Sequence, residues 1–196
     1  ENTDAYRFIE ARNLPRHANY KRNVKWTGVE QEWFELPGIA YGQTIHTANG
    51  PSIRQYWVDS VKIKMDDWLC FLGIWLAEGC TYRKKTRQAI VAITQSRGSK
   101  LDTIKQWVES CGFKCGIGNN RGNVSDLLIC NLQLHEYLKQ FGKSHDKFIP
   151  RELLNLSPRQ LKILYDAMML GDGRHSRDYC TVSKRLADDV SEMIFK

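Results

Sequence analysis

The strongest pattern in the chain is an uncharged apolar run, Trp68 to Ala77 (WLCFLGIWLA), set between Asp66-Asp67 and Glu78-Gly79. It falls well short of the ~20 residues that cross a bilayer, so it predicts a buried core helix over about 67–77. A second helical run, Leu161 to Leu170 (LKILYDAMML), is introduced by Ser157-Pro158, a capping hydroxyl followed by a first-turn proline, and is followed by Gly171-Asp172-Gly173. Between the two runs, 88–95 reads as a strand and 100–111 as a helix. Residues 113–117 and 125–130 read as a strand pair around Asn119-Asn120-Arg121-Gly122-Asn123, and 132–141 as a helix. With Cys80 to Arg83 as a first strand, the order is αββαββα, an α+β pattern. The last residues, Ala187 to Lys196, form an amphipathic helical pattern without a stop signal. Residues 1–58 are irregular. Breaks at Pro15, Pro37-Gly38 and Asn49-Gly50-Pro51 predict a small β-rich region or an extended linker.

Charge narrows the partner. Lys and Arg number 29 against 22 Asp and Glu, a formal +7, in a chain that is 42% apolar. A core can form, and the basic excess suits a polyanion, with nucleic acid the first expectation. In the first segment Arg7, Arg12, Arg16, Lys21, Arg22 and Lys25 alternate with Tyr6, Phe8, Tyr20 and Trp26. The N-terminus carries no signal-peptide pattern, and a soluble, intracellular protein is expected, cytoplasmic or nucleoid-associated. The absence of an initiating Met and of a stop after the last helix predicts a fragment. The six cysteines, Cys70, Cys80, Cys111, Cys115, Cys130 and Cys180, lack zinc-ligand spacing and are expected as buried free thiols.

Both apolar helices end in a carboxylate. An acid in the last turn faces the negative end of the helix macrodipole, unfavourable by ~0.3–1 kcal/mol, so something should offset it. Each helix also carries small residues four apart, Gly73 and Ala77 in one, Ala167 and Gly171 in the other. Such pairs share a face and let two helices approach backbone to backbone. The terminal acids would then be neighbours, and hard oxygen ligands held together suit Mg²⁺. One apolar helix ending in Glu-Gly is ordinarily a core helix with a glycine stop. The two copies, however, are followed by an echo: Ile93-Thr94-Gln95-Ser96 with Leu101 and Asp102 after the first, and Cys180-Thr181-Val182-Ser183 with Leu186 and Asp188 after the second. An internal duplication follows from this.

The segments Leu72-Gly-Ile-Trp-Leu-Ala-Glu78-Gly79 and Ala167-Met-Met-Leu-Gly-Asp172-Gly173 resemble the paired motifs of the LAGLIDADG (DOD-type) homing endonucleases, in the two-repeat form found within inteins. Lys147-Phe148-Ile149-Pro150 is similar to the Lys-x-Ile-Pro block of those enzymes. The resemblance implies the LAGLIDADG fold, a duplicated αββαββα repeat. It divides the chain into a basic arm over 1–58 (a remnant of a splicing domain or a DNA-recognition region), a first repeat over 59–156 and the start of a second over 157–196. It implies Mg²⁺- or Mn²⁺-dependent hydrolysis of double-stranded DNA at a long site by an enzyme monomeric at full length. Glu78 and Asp172, with Gly171, would stand at the metal. Lys147 would stabilise developing phosphorane charge or help activate water, and Gln95 would position water. The resemblance also implies β-saddle contacts to DNA, here from Tyr82, Arg83, Lys84, Lys85, Arg87, Gln88 and Arg97 and from Asn119, Asn120, Arg121 and Asn123, residue types that read base edges and bind phosphate.

Only residues 173–196 follow Asp172, so an incomplete second repeat is expected, and with it poor or no cleavage by this chain alone. Self-splicing is not expected: the chain opens at Glu1 and contains neither Thr-x-x-His nor a His-Asn pair. The competing reading is a catalytically inactive LAGLIDADG-fold protein that binds nucleic acid, as a regulator or maturase does. A generic basic interaction domain, with the tandem acids a coincidence, is a third.

Overall fold

The computed structural model describes residues 13, 26–48, 50–86, 88–174 and 178–196, and for 119–121 and 174 the backbone alone. A first β-rich part contains β1 (Trp33–Leu36), β2 (Ile39–Thr47), β3 (Gly50–Val58) and β4 (Val61–Lys64), with β1 antiparallel to β4 and β2 antiparallel to β3. Among the described residues the β2–β3 ribbon pairs only with itself, and a Tyr41–Tyr56 stack, centroids 5.4 Å apart, supports its register, while Ile53 and Trp57 stand exposed.

Next come α1 (Met65–Glu78), β5 (Gly79–Arg83), β6 (Ala89–Ser96), α2 (Ser99–Ser110), β7 (Cys115–Arg121), β8 (Val124–Ile129) and α3 (Leu132–Lys139). This is the αββαββα order read from the pattern. The four strands form one antiparallel sheet, β5-β6-β8-β7. Strand alternation puts Val91, Ile93, Leu127 and Ile129 on the face that packs against the helices. Cys80, Tyr82, Thr94, Asp126 and Leu128 lie on the other, where Thr94 Oγ1 donates to Asp126 at 2.7 Å. A 3-10 turn (Leu153–Asn155) leads into α4 (Pro158–Asp172), β9 (Gly173–Arg174), β10 (Asp178–Tyr179) and α5 (Lys184–Phe195). Helix, two strands and helix thus recur in the order of α1 to α2, with much shorter strands.

The caps explain several boundaries. Ser157 Oγ accepts from the Gln160 amide at 3.2 Å at the start of α4, with Pro158 as its first residue, and Asn131 and Ser183 do the same for α3 and α5. Helix α1 has no side-chain cap. Its hold is burial: Trp68, Leu69, Phe71, Leu72, Ile74 and Trp75 are wholly inside, with Trp68 stacked on Phe34 at 4.0 Å. At ~1.5–3 kcal/mol per fully buried large apolar side chain, packing outweighs any cap.

Two expectations need correcting. Residues 119–121 continue strand β7 rather than forming the tip: Arg121 pairs with Val124, and the turn shrinks to Gly122 and Asn123. Gly122 has φ 59, which makes so tight a reversal accessible, and the pairing of Arg121 with Val124 carries the strand past Asn119-Asn120, where the register shifts. The cysteines are free as read, but only Cys111 is buried. Cys70 and Cys115 are half-buried, and Cys80, Cys130 and Cys180 are exposed, because they fall on the sheet's outer face or just beyond a strand end. Among the described residues no helix is long and apolar enough to cross a membrane.

Candidate active site at the paired helix ends

Helices α1 and α4 lie parallel and in direct backbone contact. A Cβ added to Gly73 would stand 2.7 Å from Ala167 Cβ and 2.7 Å from the Leu164 carbonyl oxygen. One added to Gly171 would stand 2.5 Å from Ala77 Cβ and 3.0 Å from Glu78 Cγ. All four distances are shorter than van der Waals contact permits, so the four small residues are what lets the helices meet. At the N-terminal ends Arg159 bridges Asp66 (2.6 and 2.9 Å) and Glu30, and Gln160 Nε2 donates to Asp66 Oδ1 (3.0 Å) and to the Gln31 carbonyl (2.6 Å). At this end the acids are tied into salt bridges with Arg159, whereas at the other end Glu78 and Asp172 stand together.

Glu78 is the last residue of α1 and Asp172 the last of α4. The glycine after each is extended, not left-handed: Gly79 has φ −90 and Gly173 φ −70. Glycine is required there by close approach instead, since a Cβ would stand 2.2 Å from Trp75 Cδ1 in one case and 2.2 Å from the Met169 carbonyl oxygen in the other. Both acids are half-buried. Burial raises the pKa of Glu78 above the ordinary carboxylate range, and the charge of Asp172 raises it further, against Lys147 and Lys100, which lower it. Asp172 is raised by burial and lowered by Lys147.

Lys147 is the offset that the misplaced acids call for. It is 4% exposed, and its ammonium donates to the carbonyls of Trp75 (2.9 Å), Leu76 (3.0 Å) and Gly79 (2.7 Å), over the Trp75 ring. All its donors thus serve the negative end of α1. Burial brings its pKa down to about 8, with Asp172, Cys80 and Glu78 pulling the other way. Its loop is gripped by α5: Ser183 Oγ donates to the Lys147 carbonyl (2.7 Å), Asp189 accepts from the Ile149 amide (2.8 Å), and Arg185 covers the Phe148 ring at 3.7 Å. Lys147 and Asp172 share a cleft of ≈ 350 Å³ with Leu76, Ala77, Cys180 and Thr181.

The other predicted residues are more scattered. Gln95 lies two residues along β6 from Ile93, the partner of Gly79, and its side-chain oxygen accepts from the backbone amide (2.8 Å) and hydroxyl (3.1 Å) of its neighbour Ser96. Tyr82 is half-buried on the outer face of the sheet. Lys84, Lys85, Gln88 and Asn123 are exposed. Arg83 is engaged by Glu136 at 2.6 Å and Arg97 Nε donates to Ser125 at 2.8 Å. Arg87, His175 and the basic residues of the first segment up to Lys25 lie outside the described residues, as do the side chains of Asn119, Asn120 and Arg121. Two residues were not anticipated. Lys100 donates to the Leu170 carbonyl at 3.2 Å, at the negative end of α4, and Tyr179 follows the second acid in the short β9–β10 pair. Nothing local marks Lys100, which reads as a solvated first-turn lysine. Tyr179 could have been found only by aligning the two repeats.

The arrangement fits a small, hard divalent cation. Two carboxylates in a half-buried site, each at a negative helix end, would be balanced by a cation that Glu78 and Asp172 would hold. Among the described residues no third His, Cys, Asp or Glu joins the pair, so water would complete the coordination, as Mg²⁺ prefers.

No protein-family model matches the chain. A curated relative, an ATP-dependent Clp protease proteolytic subunit from Chlamydomonas moewusii, is 28% identical over 207 residues, covering 96% of this chain and 19% of the relative. The chain thus spans about a fifth of that protein's length. Among solved structures, mesophilic variants of the homing endonuclease I-DmoI match with a TM-score of 0.50 at 12% identity, over 66% of this chain and 75% of that one. I-DmoI in complex with DNA and Mn matches at 0.49 and 12%, over 66% and 76%. At that identity the likeness is one of architecture: the chain has an α+β fold, with antiparallel sheets, similar to the LAGLIDADG fold of I-DmoI.

Proposed function

We propose that the chain is the endonuclease part of an intein-associated LAGLIDADG homing endonuclease, hydrolysing phosphodiester bonds of double-stranded DNA with Mg²⁺ or Mn²⁺. The observation that carries this is the convergence of Glu78 and Asp172 at the touching ends of α1 and α4. A divalent cation bound there supplies Lewis-acid stabilisation and an activated water, as metal-assisted hydrolysis requires. Glu78 and Asp172 hold it, with Gly171 allowing the approach. Lys147 acts through the α1 carbonyls, keeping the local potential positive enough for two carboxylates and a phosphate to share the site. Its engaged donors argue against a direct contact to the reacting phosphate.

Duplex DNA would lie along the outer face of the β5-β6-β8-β7 sheet. Tyr82, Lys84, Lys85, Arg87, Gln88 and Asn123 are the contacts proposed at its rim, with Gln95 positioning water or touching DNA. Arg83 and Arg97 would exchange Glu136 and Ser125 for phosphate or base edges. Asn119, Asn120 and Arg121 would read from strand β7 rather than from its tip. The intein setting is supported by the Lys-x-Ile-Pro block. It is also supported by a relative in which the matching stretch is a fifth of a protein named for something else.

The test is cleavage of a DNA library containing the uninterrupted host-gene junction, with the protein at its full natural length and Mn²⁺ or a chelator. Cutting that needs metal, Glu78 and Asp172 supports the reading. Metal-independent DNA binding without cutting, unaffected by E78Q or D172N, would favour the inactive binding protein.

A further inference from the structure

Among the described residues three fully buried side-chain donors have no partner: the indole nitrogens of Trp68 and Trp75, and the hydroxyl of Tyr179. The indoles sit in the aromatic core, Trp68 between Phe34 and Tyr137, Trp75 against Phe141 and Lys147. Tyr179 is different. Strand pairing sets it directly across from Gly173, the residue after Asp172, and β10 packs against the end of α4. Its hydroxyl is pushed above the ordinary phenol range by burial first, then by the charges of Asp172 and Glu78. A buried hydroxyl with no partner is costly, and native structures seldom leave one unexplained.

We propose that Tyr179 is a positioning residue of the cation site: its hydroxyl accepts a hydrogen bond from a water in the cation's hydration shell and donates to the Asp172–Glu78 carboxylate pair. The chemistry fits on both sides. Cation-bound water is a strong donor that needs an acceptor, ionised carboxylates are acceptors only, and a phenol can serve both at once. Such outer-shell partners orient the ligands, and their loss commonly weakens metal affinity 10- to 100-fold. With the cation site filled, the orphaned hydroxyl gains its partners.

The inference rests on the metal-site reading, so its test separates the two. Mn²⁺ binding is measured by calorimetry on the wild type, E78Q, D172N and Y179F, alongside thermal melts in chelator. Phe preserves the ring's packing, so Y179F should melt no lower than the wild type without metal and yet bind Mn²⁺ about ten-fold more weakly. Unchanged Mn²⁺ affinity in Y179F, with binding lost in E78Q and D172N, would overturn the role of Tyr179 alone. Indifference of Mn²⁺ binding to both acids would overturn the site with it.

Discussion

The C-terminal ends of α1 and α4 present the same local problem and solve it differently. Each ends in an acid followed by an extended glycine. At α1 the carbonyls are gathered by a buried lysine, Lys147, whose three hydrogen bonds are all made inside the protein. At α4 a single carbonyl, that of Leu170, receives an exposed lysine, Lys100, at 3.2 Å. A buried ammonium is felt strongly in a poorly screened interior, and an exposed one is largely screened by water. The acid at α1 is thus balanced from within. The acid at α4 leans on Lys147 from across the helix pair, which lowers its pKa against the effect of burial. The two ends form one electrostatic unit organised by a lysine that lies between α3 and α4 in sequence.

The contact that makes this unit possible should be the most fragile part of the molecule. Gly73→Leu forces a side chain into Ala167 and the Leu164 carbonyl, and a loss of about 3 kcal/mol is expected in denaturant unfolding, at the upper end for overpacking. Next comes the lysine asymmetry. Lys147→Met removes the ammonium from the Trp75, Leu76 and Gly79 carbonyls, of which that of Trp75 keeps the Gly79 amide, and should cost about 2 kcal/mol. Lys100→Met should cost less than about 0.5 kcal/mol, as for exposed charge interactions. Equal losses would remove the distinction drawn between the two ends.

The acids give a smaller effect with a definite sign. Glu78 and Asp172 both have folded pKa values raised above the unfolded ones, so in that window the folded chain holds more protons. The stability they contribute is present below the ordinary carboxylate range and is lost as pH rises through their folded values. Without metal, E78Q and D172N should therefore melt higher than the wild type at neutral pH. After allowance for solvent screening of half-exposed groups, the gain is a few tenths to ~1 kcal/mol. An effect no larger than that of Lys100→Met is expected for Trp57→Ser on the exposed β2–β3 ribbon. Denaturant unfolding should show a change within ~0.5 kcal/mol, as for ordinary surface positions.

The helices were legible because their signals are local. The Ser157-Pro158 start, the apolar run of α1 and the four-residue spacing of Gly73, Ala77, Ala167 and Gly171 are all visible without the fold. The juxtaposition of Glu78 and Asp172 followed from that spacing alone. What stayed hidden depends on contacts distant in sequence. Asn119-Asn120-Arg121 looks like a turn until Arg121 pairs with Val124 of β8, and Lys100 looks solvated until α4 brings the Leu170 carbonyl to it. Lys147 was picked out by a motif, but its task is set by tertiary structure: the carbonyls it binds belong to residues 75, 76 and 79.

The most direct test of the central claim, that the two helix ends together form one cation site, is the order of melting temperatures of wild type and D172N at neutral pH, in chelator and in Mn²⁺. The account predicts D172N above wild type in chelator and wild type above D172N in saturating Mn²⁺, because a ligand bound only by the folded state stabilises it. The same order in both conditions would contradict it.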